Sequence, residues 1–416
     1  MPAKRPSVVI VGGGFGCLRV ARELRRAPVD VTIIDRHNYH VFVPLLYQVA
    51  TAGLEAEAIA QPVRRILRDA ENLRFRLDTV TDVDLDRKVV RRAGGETPYD
   101  LLVLAAGSTT NYFGLDSIAA ATSALRDLDD AEQLRDCILG TFERASAESD
   151  PERRRRLMTI VIVGGGPTGV ELAGALAELR RHVLQRDYPE LVVSEARFLL
   201  LEAADRLLPG FPERLQRKAR EQLLRMDIDV RLQTSVTDAD EVGVTLRSGE
   251  RIEAGAVIWV AGMRAPPLAD ALRTPKGASG RLIVDETLRL PGHPEVYAIG
   301  DMAHVGGEGS RPHPMMAPVA VQQGKLVAEN IRSSLEGRPA RAFRYRNLGV
   351  MATIGRQAAV AHVLGLQLTG FLAWVAWLTV HLFWLVGFRN RTLVLTNWAW
   401  NYLTYDRGVR LIRDRR

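Results

Sequence analysis

Two stretches of this chain repeat one local design, a β-branched run that enters a glycine turn and leaves it as a helix. The first reads Ser7-Val8-Val9-Ile10-Val11-Gly12-Gly13-Gly14-Phe15-Gly16-Cys17 and the second Thr159-Ile160-Val161-Ile162-Val163-Gly164-Gly165-Gly166-Pro167-Thr168-Gly169. Glycine lets the backbone approach a pyrophosphate, and the helix that follows points its positive N-terminus at the anion. The second copy matches G-x-G-x-x-G completely through Gly164, Gly166 and Gly169. In the first, Gly12 and Gly14 fit and Cys17 stands where a third glycine would give close helix-to-strand packing. A chain with two such units is constrained to an α/β fold holding two dinucleotides, which points to electron transfer between them.

Each unit also needs an acid at the end of its next strand to meet a ribose hydroxyl. Val31-Thr32-Ile33-Ile34 ends in Asp35, close to the spacing of about 20 residues that the fold prefers. Arg197-Phe198-Leu199-Leu200-Leu201 ends in Glu202, which arrives late, so a longer helix or an insertion is expected around His182 to Glu195. A carboxylate at Glu202 would repel a 2′-phosphate and favours NADH over NADPH.

The chain has 416 residues, 47% hydrophobic and 25% charged, enough for two or three globular domains. Its two cysteines, Cys17 and Cys137, have no CxxC or metal-ligand spacing, so neither a disulfide framework nor a metal site is expected and a reduced, cytoplasmic setting fits best. The basic start Met1-Pro2-Ala3-Lys4-Arg5 leads into an apolar run that is the first nucleotide strand rather than a signal peptide. The net charge of +7 is concentrated at the end: Arg389, Arg391, Arg407, Arg410, Arg413, Arg415 and Arg416 face only Asp406 and Asp414. Beside an apolar block, such a cluster suits an anionic lipid surface, and nucleic acid is not expected.

Strand and helix patterns alternate from 7 to 112, with a helix at 15–27, a strand at 30–35 and another from Asp100 to Ala105. The second unit runs from Thr159 through Leu199-Leu200-Leu201 to Val257-Ile258-Trp259 and Gly262, and Val296-Tyr297-Ala298-Ile299-Gly300-Asp301 returns to the first domain before a helix from Ala317 to Arg332. The fold class is α/β: two doubly wound, Rossmann-like dinucleotide-binding domains plus a C-terminal helical membrane-attachment region. The boundaries are 1–118 and 281–346 for one domain, 119–280 for the other, and 347–416 for the attachment region. Residues 371–388 carry no formal charge, and five of the six tryptophans lie between 374 and 400. As one helix these residues would reach about 27 Å, short of a hydrocarbon core of about 30 Å, so attachment to one face is preferred and a single spanning helix is the alternative. Trp374, Trp377, His381, Trp384 and Phe388 would form one stripe.

Taken together, the two glycine signatures, Gly300-Asp301 and the aromatic basic tail resemble a type II, single-subunit NADH:quinone oxidoreductase of the two-dinucleotide-binding flavoprotein superfamily. The segments His37 to Ala50, Ala317 to Gly324 and Phe388-Arg389-Asn390-Arg391 carry the same resemblance. It implies one tightly bound FAD held by Gly12, Gly14, Phe15, Gly16, Asp35, Arg36, Ala106, Gly107, Gly300, Asp301 and Val319. It implies NADH as substrate on Gly164, Gly166, Pro167, Thr168, Gly169, Glu171, Glu202 and Gly262. Glu171 and Gln322 are the implied catalytic residues, with Pro44, Leu45, Leu46, Val321 and Gln322 toward a membrane quinone. Pro318 departs from the glutamine usual at that place in the family. The implied cycle passes a hydride from NADH to flavin and two electrons to quinone, without proton pumping, at the cytoplasmic face of the membrane; a homodimer is left open.

Two other readings stand beside it. Disulfide and sulfide:quinone reductases need a cysteine pair beside the flavin, which this sequence lacks. A soluble reductase of ferredoxin or rubredoxin leaves the tryptophan-rich end unexplained, and a non-catalytic nucleotide-sensing membrane scaffold leaves two intact signatures without a purpose.

Overall fold

A computed structural model describes residues 5–306, 311–404 and 409–413. The chain divides into two units, one made of Met1–His40, Gln61–Thr109 and Met263–Asn347, the other of Val41–Ala60, Thr110–Gly262 and Leu348–Arg416.

The first unit is built on a six-stranded sheet in the order Arg289–Leu290, His293–Ala298, Leu101–Leu104, β1 (Ser7–Val11), Asp30–Asp35 and Leu73–Leu77. All neighbours are parallel except the edge pair Arg289–Leu290 and His293–Ala298. Val8, Val9 and Ile10 are fully buried, as expected for a strand covered on both faces. The chain leaves β1 toward Asp30–Asp35 and later returns on its other side at Leu101–Leu104, which makes the end of β1 the point where strand order reverses and ligands bind. Helix α1 (Phe15–Leu24) starts there and stops three residues before the expected end at 27. It packs on the helix Ala317–Leu335 through two glycines: a Cβ on Gly324 would lie 2.6 Å from the Gly16 carbonyl oxygen, and one on Gly16 would lie 2.9 Å from Ile299. Close packing is thus carried by Gly16, while Cys17 is buried in the core.

The second unit repeats the plan with four parallel strands, in the order Ile228–Arg231, Arg197–Leu201, β2 (Thr159–Val163) and Ala256–Trp259. Helix α2 (Pro167–Leu179) follows β2, has proline at its first position, and continues through a π-type turn at Arg180–Leu184 into Gln185–Asp187. That extension and the loop carrying Val193–Glu195 account for the late arrival of Glu202.

The same unit ends in a three-stranded antiparallel sheet, Val350–Thr353, Ala359–Val363 and Leu366–Thr369, followed by helices α3 (Gly370–Trp384) and α4 (Phe388–Thr404). The apolar run 371–388 is not one helix: it breaks at Leu385–Gly387, where Gly387 takes φ +88°. Fifteen residues span about 23 Å, and among the described residues no helix is long and apolar enough to cross a membrane. The single spanning helix is therefore set aside. The expected aromatic stripe divides too, since Trp377 is fully buried whereas Phe388 opens α4 and is 85% exposed. Arg391 donates to the carbonyls of Leu385 and Phe383 and so closes the end of α3. Arg410 pairs with Asp187 at 3.1 Å, and Arg413 pairs with Glu132 at 3.1 Å and takes Asp136 through its backbone N–H, so these two arginines serve the fold and are not free charges for lipid. Met1 to Lys4, Asp406, Arg407, Asp414, Arg415 and Arg416 lie outside the described residues.

Candidate functional site

In the first unit Gly12 takes φ +110° and donates to the Ile34 carbonyl at 2.8 Å; a Cβ there would sit 2.3 Å from the Ala105 oxygen. Two residues on, Gly14 caps α1 and a Cβ on it would meet nothing within 4 Å. The turn is closed against the sheet on one side and open on the other, which is the space a pyrophosphate needs at a helix N-terminus. Asp35 ends its strand half-buried and accepts from the His37 N–H at 2.7 Å, while Arg36 donates to the His37 ring at 2.9 Å. Burial raises the Asp35 pKa, against hydrogen bonds from His37 and Gly13 that lower it. Asp301, in the turn Gly300–Met302, accepts from the Ser108 hydroxyl at 2.6 Å, and Gly107 beside it takes φ +72° with open space where a Cβ would lie. The Ala106 N–H meets the Met302 sulfur at 3.3 Å, and Val319 is buried in the helix Ala317–Leu335. Every residue assigned to FAD from the sequence thus lies in this unit.

Three further residues build this site; Gln323 and His40 lie inside the segments that carry the resemblance, and Ser108 has no sequence signal of its own. Gln323, fully buried, accepts the Gly300 N–H at 2.6 Å and fixes the turn bearing Asp301. His40 is 2% exposed, meets the Gly13 carbonyl at 3.0 Å and stands edge-on to Phe15; burial lowers its pKa to about 4, so it is neutral. Ser108 enters the site through its hydroxyl bond to Asp301.

The second glycine turn has the same geometry. Gly164 takes φ +117° and donates to Leu201, Gly166 caps α2 over open space, and a Cβ on Gly169 would lie 1.9 Å from the Gly164 oxygen. Pro167 and Thr168 form the first turn of α2. Glu202 accepts from the Gly165 N–H at 2.5 Å and the Ala204 N–H at 2.8 Å, so the carboxylate is fixed at the mouth of the turn with lone pairs left over. Gly262 takes φ +79° with the Phe113 ring packed against it.

One turn into α2, Glu171 is 9% exposed and accepts a long contact from the Thr353 N–H at 3.4 Å. Burial raises its pKa to about 8, with Thr353 and then Trp377 working the other way, so it is predominantly protonated at neutral pH. Behind Thr353 and Trp377 lies a cavity of about 530 Å³, walled by Trp374, Leu378, Leu382, Leu395 and Trp398, with Gln48, Glu178 and Arg356 as polar groups. A stability consequence follows. Unfolded, a glutamate ionises near 4.5; folded, Glu171 holds its proton to about pH 8, so its stabilising share is complete below 4.5 and is lost as pH rises to about 8. The slope is at most about 1.4 kcal/mol per pH unit. His40 and His381, both lowered to about 4, give the opposite slope and only below about 6.5. Thermal midpoints should therefore fall between pH 6.5 and 8 in the wild type and fall less in Glu171→Gln.

The quinone-side residues are distributed over both units. Pro44 lies in the turn Val43–Leu45, and Leu45 and Leu46 are fully buried; the cavity is reached by the next residues of that segment, Tyr47, Gln48 and Thr51. Val321 and Gln322 belong to the first unit, where Gln322 donates to the Arg346 carbonyl at 2.9 Å and accepts its N–H at 3.0 Å. Both ends of Gln322 are satisfied by this backbone clasp.

The family model for pyridine nucleotide-disulphide oxidoreductases matches residues 6–324, and the NDH2 C-terminal domain matches 347–405. The type II NADH:quinone oxidoreductase Ndh of Mycobacterium tuberculosis is 40% identical, with 99% of this chain and 91% of that protein aligned. This chain belongs to the type II NADH:quinone oxidoreductases. A second relative in that species, NdhA, is also 40% identical over 97% of the chain and 88% of its own length. The fold extends across the family: the structure of NDH2 from Plasmodium falciparum in complex with NADH superimposes with a TM-score of 0.90 at 20% identity, covering 99% of this chain and all of that one. The sulfide:quinone oxidoreductase of Aquifex aeolicus shares the fold at a TM-score of 0.75 and 17% identity, over 93% and 92% of the two chains. In the present member both cysteines are free.

Proposed function

We propose that this type II oxidoreductase carries FAD on its first glycine turn, takes NADH on its second, and delivers two electrons to a membrane quinone from the cytoplasmic face of the membrane, without pumping protons. The observation that carries the reading is the duplicated turn: Gly14 and Gly166 each open a helix N-terminus onto free space, with Asp35 and Glu202 fixed beside them. FAD supplies, when bound, the hydride-accepting and electron-passing chemistry. Asp35 and Asp301 would hold its sugar hydroxyls through charge-assisted bonds, and Gly107 would leave room for its ring. Glu202 would bind the NADH ribose and repel a 2′-phosphate. The cavity beside Glu171 offers an apolar path of the kind a quinone tail needs, and Glu171, buried and protonated, is placed to handle a proton. The outward apolar side chains Leu372, Phe383, Leu403 and Trp400, exposed by 77% to 59%, support attachment to a lipid surface. Domain boundaries at 118, 280 and 346 belong to the same reading.

The test is steady-state NADH oxidation with a short-chain quinone. Turnover should require the quinone and should prefer NADH to NADPH, and Glu202→Ala should narrow that preference about tenfold or more, as loss of one charge-assisted contact implies. Equal use of NADPH by the wild type would remove Glu202 from its role, and quinone-independent turnover would remove the acceptor.

A further inference from the structure

Trp377 is 1% exposed, and its indole N–H is buried without an acceptor in hydrogen-bonding geometry. A buried donor without a partner keeps its full desolvation cost. The surroundings hold it in place. His381 stacks on the indole at 4.1 Å and its Nδ1 meets the Trp377 carbonyl at 2.8 Å; Tyr47 stands edge-on at 6.4 Å and Trp398 closes the remaining side at 5.9 Å. The acid that this indole bears on is Glu171, whose ionised form it favours. Trp377 and Thr353 both line the cavity and both bear on Glu171, so they form the wall between the two.

We propose that Trp377 is a positioning residue for Glu171, its N–H being a donor held in reserve for the carboxylate, so that this buried acid can release its proton and recover it without leaving its place. The proposal rests on the reading of Glu171 as a proton-handling group. In the neutral acid the indole N–H lies beside the carboxyl without a well-aligned hydrogen bond. When the Glu171 O–H bond breaks, the proton becomes one of the two that a quinone takes up with two electrons, and the remaining carboxylate accepts from Trp377 and Thr353 until water returns a proton to it. A charge-assisted bond forms only in that state and lowers the cost of an ionised carboxylate in a buried site. The other titratable groups on the elements packed here are Tyr47, His381 and Arg356, Glu178 within α2, and Arg180, Arg181 and His182 in the turn that continues it. None of them enters the Glu171 shift, and neither the helix Glu213–Arg225 nor the strand Arg197–Leu201 brings a charge to it.

The experiment is an infrared pH titration of the full-length holoprotein, following the carboxylic C=O band that disappears in Glu171→Gln. In Trp377→Phe the titration should move up by about one pH unit, and the pH limb of quinone turnover should move with it. Replacing Trp377 with benzothienylalanine keeps the two-ring shape and removes only the N–H, so it should give the same shift with an unchanged melting point, and Trp377→His should recover part of it. An unmoved titration in the benzothienylalanine protein overturns the proposal, whether or not Trp377→Phe folds. Full quinone turnover by Glu171→Gln would instead defeat the proton-handling reading, and the infrared titration would still report whether Trp377 governs the acid.

Discussion

Valine at Gly169 is expected to leave the protein yellow and unable to be bleached by NADH. The new side chain would begin with a Cβ 1.9 Å from the Gly164 carbonyl oxygen, inside the turn that must sit against a pyrophosphate, and no rotamer avoids a clash that starts at Cβ. Helix α2 has to lift from β2, which costs several kcal/mol at least locally. Since about 1.4 kcal/mol is a factor of ten, NADH-driven reduction should drop by at least two orders of magnitude. The companion variant, Gly12→Val, drives a Cβ to 2.3 Å from the Ala105 oxygen at φ +110° and should have the reverse phenotype, loss of flavin with the second turn intact. Flavin absorbance and NADH affinity measured on both proteins separate the two sites; loss of flavin in Gly169→Val would show that the two turns do not serve different ligands.

Glu171→Gln should lower quinone turnover by roughly a hundredfold while NADH affinity stays within a few fold, the size of effect associated with removing a general acid. Glutamine fills nearly the same volume and can still accept from the Thr353 N–H, so packing around the 9% exposed side chain is preserved and only the proton is removed. Turnover of the wild type should also fall as pH rises through about 8, where the acid loses its proton, and the variant should lose that dependence. Stopped-flow measurement of NADH-driven bleaching alongside quinone-driven recolouring locates the defect: a slowed first phase would place Glu171 with the nicotinamide rather than the quinone.

Local features of this protein are legible in its sequence because they are written at short range. The strands Ser7–Val11 and Thr159–Val163 follow from unbroken β-branched runs, and the two turns follow from glycines whose positive φ other residues rarely adopt. Even the late Glu202 forecast an extension that appears as the π-type turn at Arg180–Leu184. What brings distant segments together is another matter. Thr353 lies 182 positions after Glu171, with Trp377 further on, and the three meet only through the packing of the C-terminal sheet and helices on α2, for which no spacing rule exists. Gln322 and Gln323 are adjacent and chemically identical in sequence. Helix rotation alone turns one into a clasp for Arg346 and the other into the anchor of Gly300. Arg410 and Arg413 look like free charge until Asp187 and Glu132 are placed opposite them.

An anaerobic absorbance titration of the purified protein bears most directly on the central claim that one chain grips a flavin and a nicotinamide nucleotide on two separate glycine turns. One equivalent of NADH should bleach one equivalent of protein-bound FAD, and one equivalent of short-chain quinone should restore the colour. A protein that is colourless and cannot be reconstituted with FAD, or a bound flavin that NADH leaves oxidised, would contradict it.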